Sequence, residues 1–162
     1  MKKLLAIALF LGGSYLGHAQ LTQTATQATE VVIGQILDIT YTAGNATETF
    51  TFSALNDFNN GLSTAANVSS LEVKSNKTYT VSVSAPNFTN VGSSTTTMPP
   101  TVLGVTADNG SNYTTVTTGG ANLVTSGSVG TTTFPIGFQA NPGFDYEPDT
   151  YNTTITFTVS AP

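Results

Sequence analysis

The stretch LEVKSNKTYTVSVSA, residues 71–85, holds the reading on which the fold turns. Leu71 and Val73 lead into Ser75-Asn76-Lys77. Tyr79, Val81, Val83 and Ala85 then alternate with Thr80, Ser82 and Ser84. A period of two sends alternate side chains to opposite faces of an extended chain. One face is apolar and the other hydroxylated, as in an antiparallel sheet with one wet side. Valine and threonine favour such a pleated, half-buried surface. The short polar break reads as a tight turn joining a strand pair.

The same alternation closes the chain. In TYNTTITFTVSAP, residues 150–162, Tyr151, Thr153, Ile155, Phe157 and Val159 share one face, and Asn152, Thr154, Thr156, Thr158 and Ser160 the other. Upstream, VVIGQILDITY puts Ile33, Leu37, Ile39 and Tyr41 on one parity, broken by Gln35, and ETFTFS adds Phe50 and Phe52. With TAGNAT between them, these two segments predict a hairpin. ALNDFNNGLSTAANVSS spaces Leu55, Phe58 and Leu62 almost helically, yet Asn59-Asn60-Gly61 signals a turn, so a short helical turn or an ordered loop is expected rather than a real helix. TVLGVTA, YTTVTT and TTTFPIGFQA read as strands. Pro135 within the last of these predicts an edge position or a bulge. GGANLVTSGSVG reads as glycine-rich and irregular. About eight or nine short strands at this spacing predict an all-β, Ig-like antiparallel β-sandwich.

The chain begins MKKLLAIALFLGGSYLGHAQ. Lys2 and Lys3, the apolar run Leu4–Leu11 and the small residues before Gln20 predict a secretory signal over residues 1–20, cut near Ala19 or Gln20. Residues 21–30 read as a flexible leader, and 31–162 as one domain. No later stretch has the length and apolarity of a membrane helix, so no integral span is expected after cleavage. The product is expected outside the cell or on its surface, held together without disulfides because it has no cysteine.

Charge and composition narrow the chemistry. Beyond residue 20, Lys74 and Lys77 face nine acids, a net −7, and arginine is absent throughout. Binding to a phosphate backbone needs clustered cations, which argues against nucleic acid. The single histidine, His18, lies inside the signal. Thiol, imidazole and triad chemistry therefore have no residues to work with in the exported part, and no enzyme is expected. The sharpest candidate site is FDYEPD, where an extended chain sets Asp145, Glu147 and Asp149 on one side at about 7 Å intervals. Three such carboxylates suit Ca²⁺, with Asp108–Asn112 as a second oxygen-rich loop. The alternative is a solvated acidic loop. Tyr113, Tyr146 and Tyr151 offer stacking surfaces for a glycan, or pack on the sheet rim with wet hydroxyls. The sequons at Asn45, Asn67, Asn76, Asn87, Asn112 and Asn152 follow from a composition rich in asparagine and threonine.

Val73–Phe88 and Tyr151–Pro162 resemble the two characteristic segments of the WxL family of secreted, cell-wall-associated domains. Tyr79, Val81, Val83 and Phe88 fit the first segment. Tyr151, Ile155, Phe157, Val159 and Pro162 fit the second. The chain has no tryptophan, so the tryptophans of both characteristic segments have no counterpart. The MKK…AQ start resembles the signal of a Bacteroidetes-type secreted protein. The resemblance implies a non-catalytic surface β-sandwich with an envelope, matrix or adhesion role. Its partners would be cell-wall or extracellular glycan, other surface proteins, or further copies of itself. Alternatives are a pilus or fibre subunit assembling by β-strand addition, and a carbohydrate- or Ca²⁺-dependent adhesin.

Overall fold

The alternation of residues 69–85 becomes two strands that bury the same parity. In the computed structural model, which describes residues 26–64 and 69–162, β3 spans Ser69–Ser75 and β4 spans Tyr79–Ser84. Leu71, Val73, Tyr79, Val81 and Val83 are buried, while Ser70, Thr80, Ser82 and Ser84 are only half covered. The expected signal and its cleavage point, the leader up to residue 25, and Asn67 lie outside the described residues. The chain divides between Ile33 and Gly34 into two units. Within the first, residues 26–33 are exposed and form no helix or strand.

The second unit is an antiparallel β-sandwich. Its larger sheet contains β1 (Leu37–Thr42), β3, β9 (Gly130–Ala140), β6 (Leu103–Thr106) and β7 (Thr114–Thr115) in that order, with β2 (Leu62–Ser63) also paired to β9. The smaller sheet runs β11 (Thr156–Ser160), β4, β8 (Ala121–Gly127). A separate ribbon pairs β5 (Thr89–Asn90) with β10 (Tyr151–Asn152). Eleven strands thus stand where about eight or nine were expected, because four of them are two-residue pairings. Leu71, Val73, Val105, Ile136 and Phe138 from the larger sheet meet Tyr79, Val81 and Val83 from the smaller in one core. Tyr41 stacks on Phe157 at 5.4 Å, joining β1 to β11 along one side.

Residues 71–85 do not form the expected hairpin. Both edges of β3 are taken by β1 and β9, and both edges of β4 by β11 and β8. Ser75–Tyr79 is therefore an arch that carries the chain from one sheet to the other. The Ser75 hydroxyl tightens it, donating to the Lys77 carbonyl at 2.7 Å and accepting the Lys77 N–H at 3.1 Å. Gly127–Gly130 makes a second arch beside the first, since Ser75 pairs with Gly130 and Tyr79 with Gly127. A Cβ on Gly127 would lie 2.1 Å from the Tyr79 ring, so only glycine admits that tyrosine. The glycine-rich GGANLVTSG segment is accordingly a real strand, β8, where irregular chain was expected. ETFTFS does not pair with β1. Its Phe50 and Phe52 instead lean on the core from a loop, and β1 pairs with β3. Pro135 lies within a central strand, opposite Ser70. It is tolerated because β6 stops at Thr106 opposite Gly137, leaving the other flank of β9 without a strand at Pro135. Leu55–Asn60 is a short α-helix, α1, where a helical turn or an ordered loop was expected.

Two substitutions separate close packing from hydrogen bonding here. The Tyr79 hydroxyl is buried without a partner among the described residues. Tyr79→Phe is expected to hold or raise the melting temperature, because it removes an unsatisfied polar group. Gly127→Ala is expected to cost about 1–3 kcal/mol or more from overpacking. Thermal or denaturant unfolding of the two variants checks both.

Candidate functional site

Two loop carboxylates and one wet sheet face are the places where function can be sought. Asp149 precedes β10 and reaches across to the loop after β5. One of its oxygens accepts the Gly92 N–H at 2.7 Å and the Thr150 N–H at 2.6 Å, and the other accepts the Ser94 N–H at 2.9 Å. These donors, Ser94 foremost, hold its pKa below the ordinary 3.8. A Cβ on Gly92 would lie 2.5 Å from that carboxylate, so glycine is required there. Tyr151 completes the joint: its hydroxyl lies 2.9 Å from the Ser94 hydroxyl and donates to the Glu147 carbonyl at 2.8 Å. Tyr146 meets the Tyr151 ring edge-on at 6.3 Å.

Asp108 organises the second loop. The Thr106 hydroxyl donates to it at 2.5 Å, and Asn112 donates its side-chain amide at 2.6 Å and its backbone N–H at 3.0 Å. The Thr106 hydrogen bond, then those from Asn112, lower the Asp108 pKa to about 2. Asn109 and Gly110 take positive φ, 61° and 82°, to close the turn.

The structure does not gather Asp145, Glu147 and Asp149 around one point. Asp145 and Glu147 are exposed, whereas Asp149 is turned inward to the loop amides. Among the described residues no group of three or more His, Cys, Asp or Glu side chains is arranged to hold a metal ion. Of the three tyrosines, Tyr146 and Tyr151 come together at the β5–β10 ribbon, and Tyr113 lies apart, packed over Gly104. Sequence reading missed the aromatic row Phe52–Phe58–Phe144, with ring centroids 5.4 and 5.3 Å apart. Its members come from three separate segments, and no local spacing joins them.

The outer face of the smaller sheet is a ladder of hydroxyls. Thr156 pairs with Ser84, Thr158 with Ser82, and Ser160 with Thr80. Asn122 of β8 extends the middle row beside Ser82. Thr156, Thr158, Ser160 and Asn122 are exposed, and no charge stands among these residues. Thr80 and Ser82 place their hydroxyl oxygens 3.5 Å from the Ser160 and Thr158 carbonyls, at the long limit of hydrogen bonding. The hydroxyls therefore keep much of their capacity for an outside partner.

No known protein-family model matches this chain, and no curated protein is similar to it.

The loop carboxylates predict a defined acid response. A carboxylate whose folded pKa is depressed contributes stability above its unfolded pKa and loses it as pH falls through the folded value. The Asp108 contribution is complete above pH 3.8 and is lost as pH falls toward about 2. Asp108→Ala is expected to lower the melting temperature at neutral pH and to flatten its decline between those values. Melting curves across that pH range check this.

Proposed function

We propose that this chain is a non-catalytic, exported β-sandwich that works by contact at the cell envelope or in the extracellular matrix, with a neutral glycan as its partner. The uncharged hydroxyl ladder of Thr80, Ser82, Ser84, Thr156, Thr158 and Ser160 carries the reading. An array of hydroxyls and one amide offers alternating donors and acceptors at strand spacing, which suits the hydroxyl pattern of a sugar polymer. The surrounding charge, two lysines against nine acids beyond residue 20, disfavours anionic polymers and leaves neutral ones. The two ordered loop acids, Asp108 and Asp149, engage turn amides and hydroxyls, which supports a structural role for them. The resemblance to WxL domains supports a surface location, and the export signal read from residues 1–20 agrees with it.

Co-sedimentation with insoluble envelope polysaccharide from the producing cells tests this. Wild-type protein is expected to sediment with the polymer, and Thr158→Glu to stay in solution with an unchanged melting temperature. Equal retention of both proteins, or turnover of the polymer by the wild type, would overturn the proposal.

A further inference from the structure

Beside the hydroxyl ladder, the edge strand β8 is irregular, and the irregularity lies against a cleft. Val124 pairs with Val81 and Asn122 with Ser82, so Leu123 between them has no partner of its own on β4. Gly127 pairs with Tyr79, so Thr125 and Ser126 together stand opposite Thr80. Such bulges re-aim side chains at sheet edges and beside binding sites. Leu123–Ser126 all line a cleft of about 280 Å³ between β8, β9 and the β6–β7 connection. Leu123, Val124 and Phe134, each half-buried, supply its apolar lining. Asp108, Asn112, Thr114, Thr125 and Ser126 supply its polar lining.

We infer that this cleft holds one neutral sugar residue of the same glycan that the hydroxyl ladder is proposed to meet, and so depends on that reading. A sugar ring presents C–H groups on its faces and hydroxyls around its rim. The cleft carries a counterpart for each: apolar side chains for the ring, and hydroxyl, amide and carboxylate groups for the rim. The hydroxyls of Thr114, Thr125 and Ser126 and the Asn112 amide oxygen have no hydrogen-bond partner among the described residues. Asp108 uses three of the roughly four acceptor positions of a carboxylate on its own loop, two on Oδ1 and one on Oδ2. The position left on Oδ2 suits a ligand hydroxyl. No lysine lines the cleft, and Asp108 is ionised above pH of about 2, so a phosphate or carboxylate ligand is repelled. Three donors already stabilise that charge, so no cation is required to complete it. The volume lies just below the roughly 300–1,000 Å³ of sites for larger ligands, which suits one ring rather than an oligomer. Position connects the cleft to the ladder. Thr158, Ser82 and Asn122 form one row across the three strands of the smaller sheet. The row ends at the β8 edge, where the next residue, Leu123, lines the cleft. A glycan crossing the strands along that row therefore meets the cleft at the sheet edge.

The probe is a set of short neutral oligosaccharides released by mild acid hydrolysis from the insoluble envelope polysaccharide of the producing cells. Titrated into the isotope-labelled full chain, they are expected to shift the backbone amide resonances of Asn112, Leu123–Ser126 and Phe134 saturably. Ser126→Ala removes one hydroxyl without an internal partner, and is expected to weaken binding about twofold to tenfold at an unchanged melting temperature. Thr125→Trp fills the cleft from an exposed position and is expected to abolish these shifts. Thr158→Glu, on the ladder, is expected to leave the cleft shifts intact while losing the polymer. No shifts, shifts confined to the ladder, or equal affinity in Thr125→Trp would each overturn the cleft site, and retention of the wild type on the polymer would then leave the ladder reading standing. Loss of both fragment binding and polymer retention in the wild type would overturn the two together.

Discussion

Everything in this fold follows from pressing the apolar face of β3 against the apolar face of β4. Leu71 and Val73 on one side, and Val81 and Val83 on the other, are fully buried. The two strands are neighbours in sequence, joined by only three residues, and yet they lie in opposite sheets. A hairpin would satisfy one edge of each strand and leave the shared apolar face for another layer to cover. The arch satisfies the burial directly and frees all four strand edges for distant partners, which then supply the sheets. Tyr79 ties the first arch to the second, and its ring occupies the space that Gly127 leaves open. With no disulfide available, this packing and the ladders around it carry the stability.

The consequence for function is a division of labour between loops and faces. The ordered acids Asp108 and Asp149 close turns, each accepting several hydrogen bonds, and so fix loops that would otherwise fray. The smaller sheet is left with a neutral hydroxyl surface, and among the described residues the larger sheet has unpaired strand edges at β1 and at the Pro135 end of β9. Both are surfaces for contact.

Much of this was legible in the alternation of residues. The parities of Tyr79–Ala85 and Tyr151–Val159 emerge in the structure as the period requires. What the sequence could not reveal was pairing. Nothing local distinguishes an arch from a hairpin at Ser75–Tyr79, since both need a short polar connection and both preserve parity. The glycine at position 127 looked like a loop residue because its reason for being there, the Tyr79 ring, lies 48 positions earlier in the chain. Pro135 argued for an edge, and the strand does have a local edge there, within an otherwise central position. Of the candidate acids, the turn around Asp108 could be read from its own Asp-Asn-Gly-Ser-Asn pattern. The role of Asp149 could not, because Gly92 and Ser94 are 57 and 55 residues away.

The arrangement of β3 and β4 is most directly tested by backbone nuclear Overhauser contacts in the folded protein. Cross-strand contacts are expected to join Leu71–Ser75 to Gly130–Phe134, and Thr80–Ser84 to Thr156–Ser160, with only side-chain contacts between Val73 and the β4 valines. A continuous backbone ladder pairing residues 71–75 with 79–83 would contradict it.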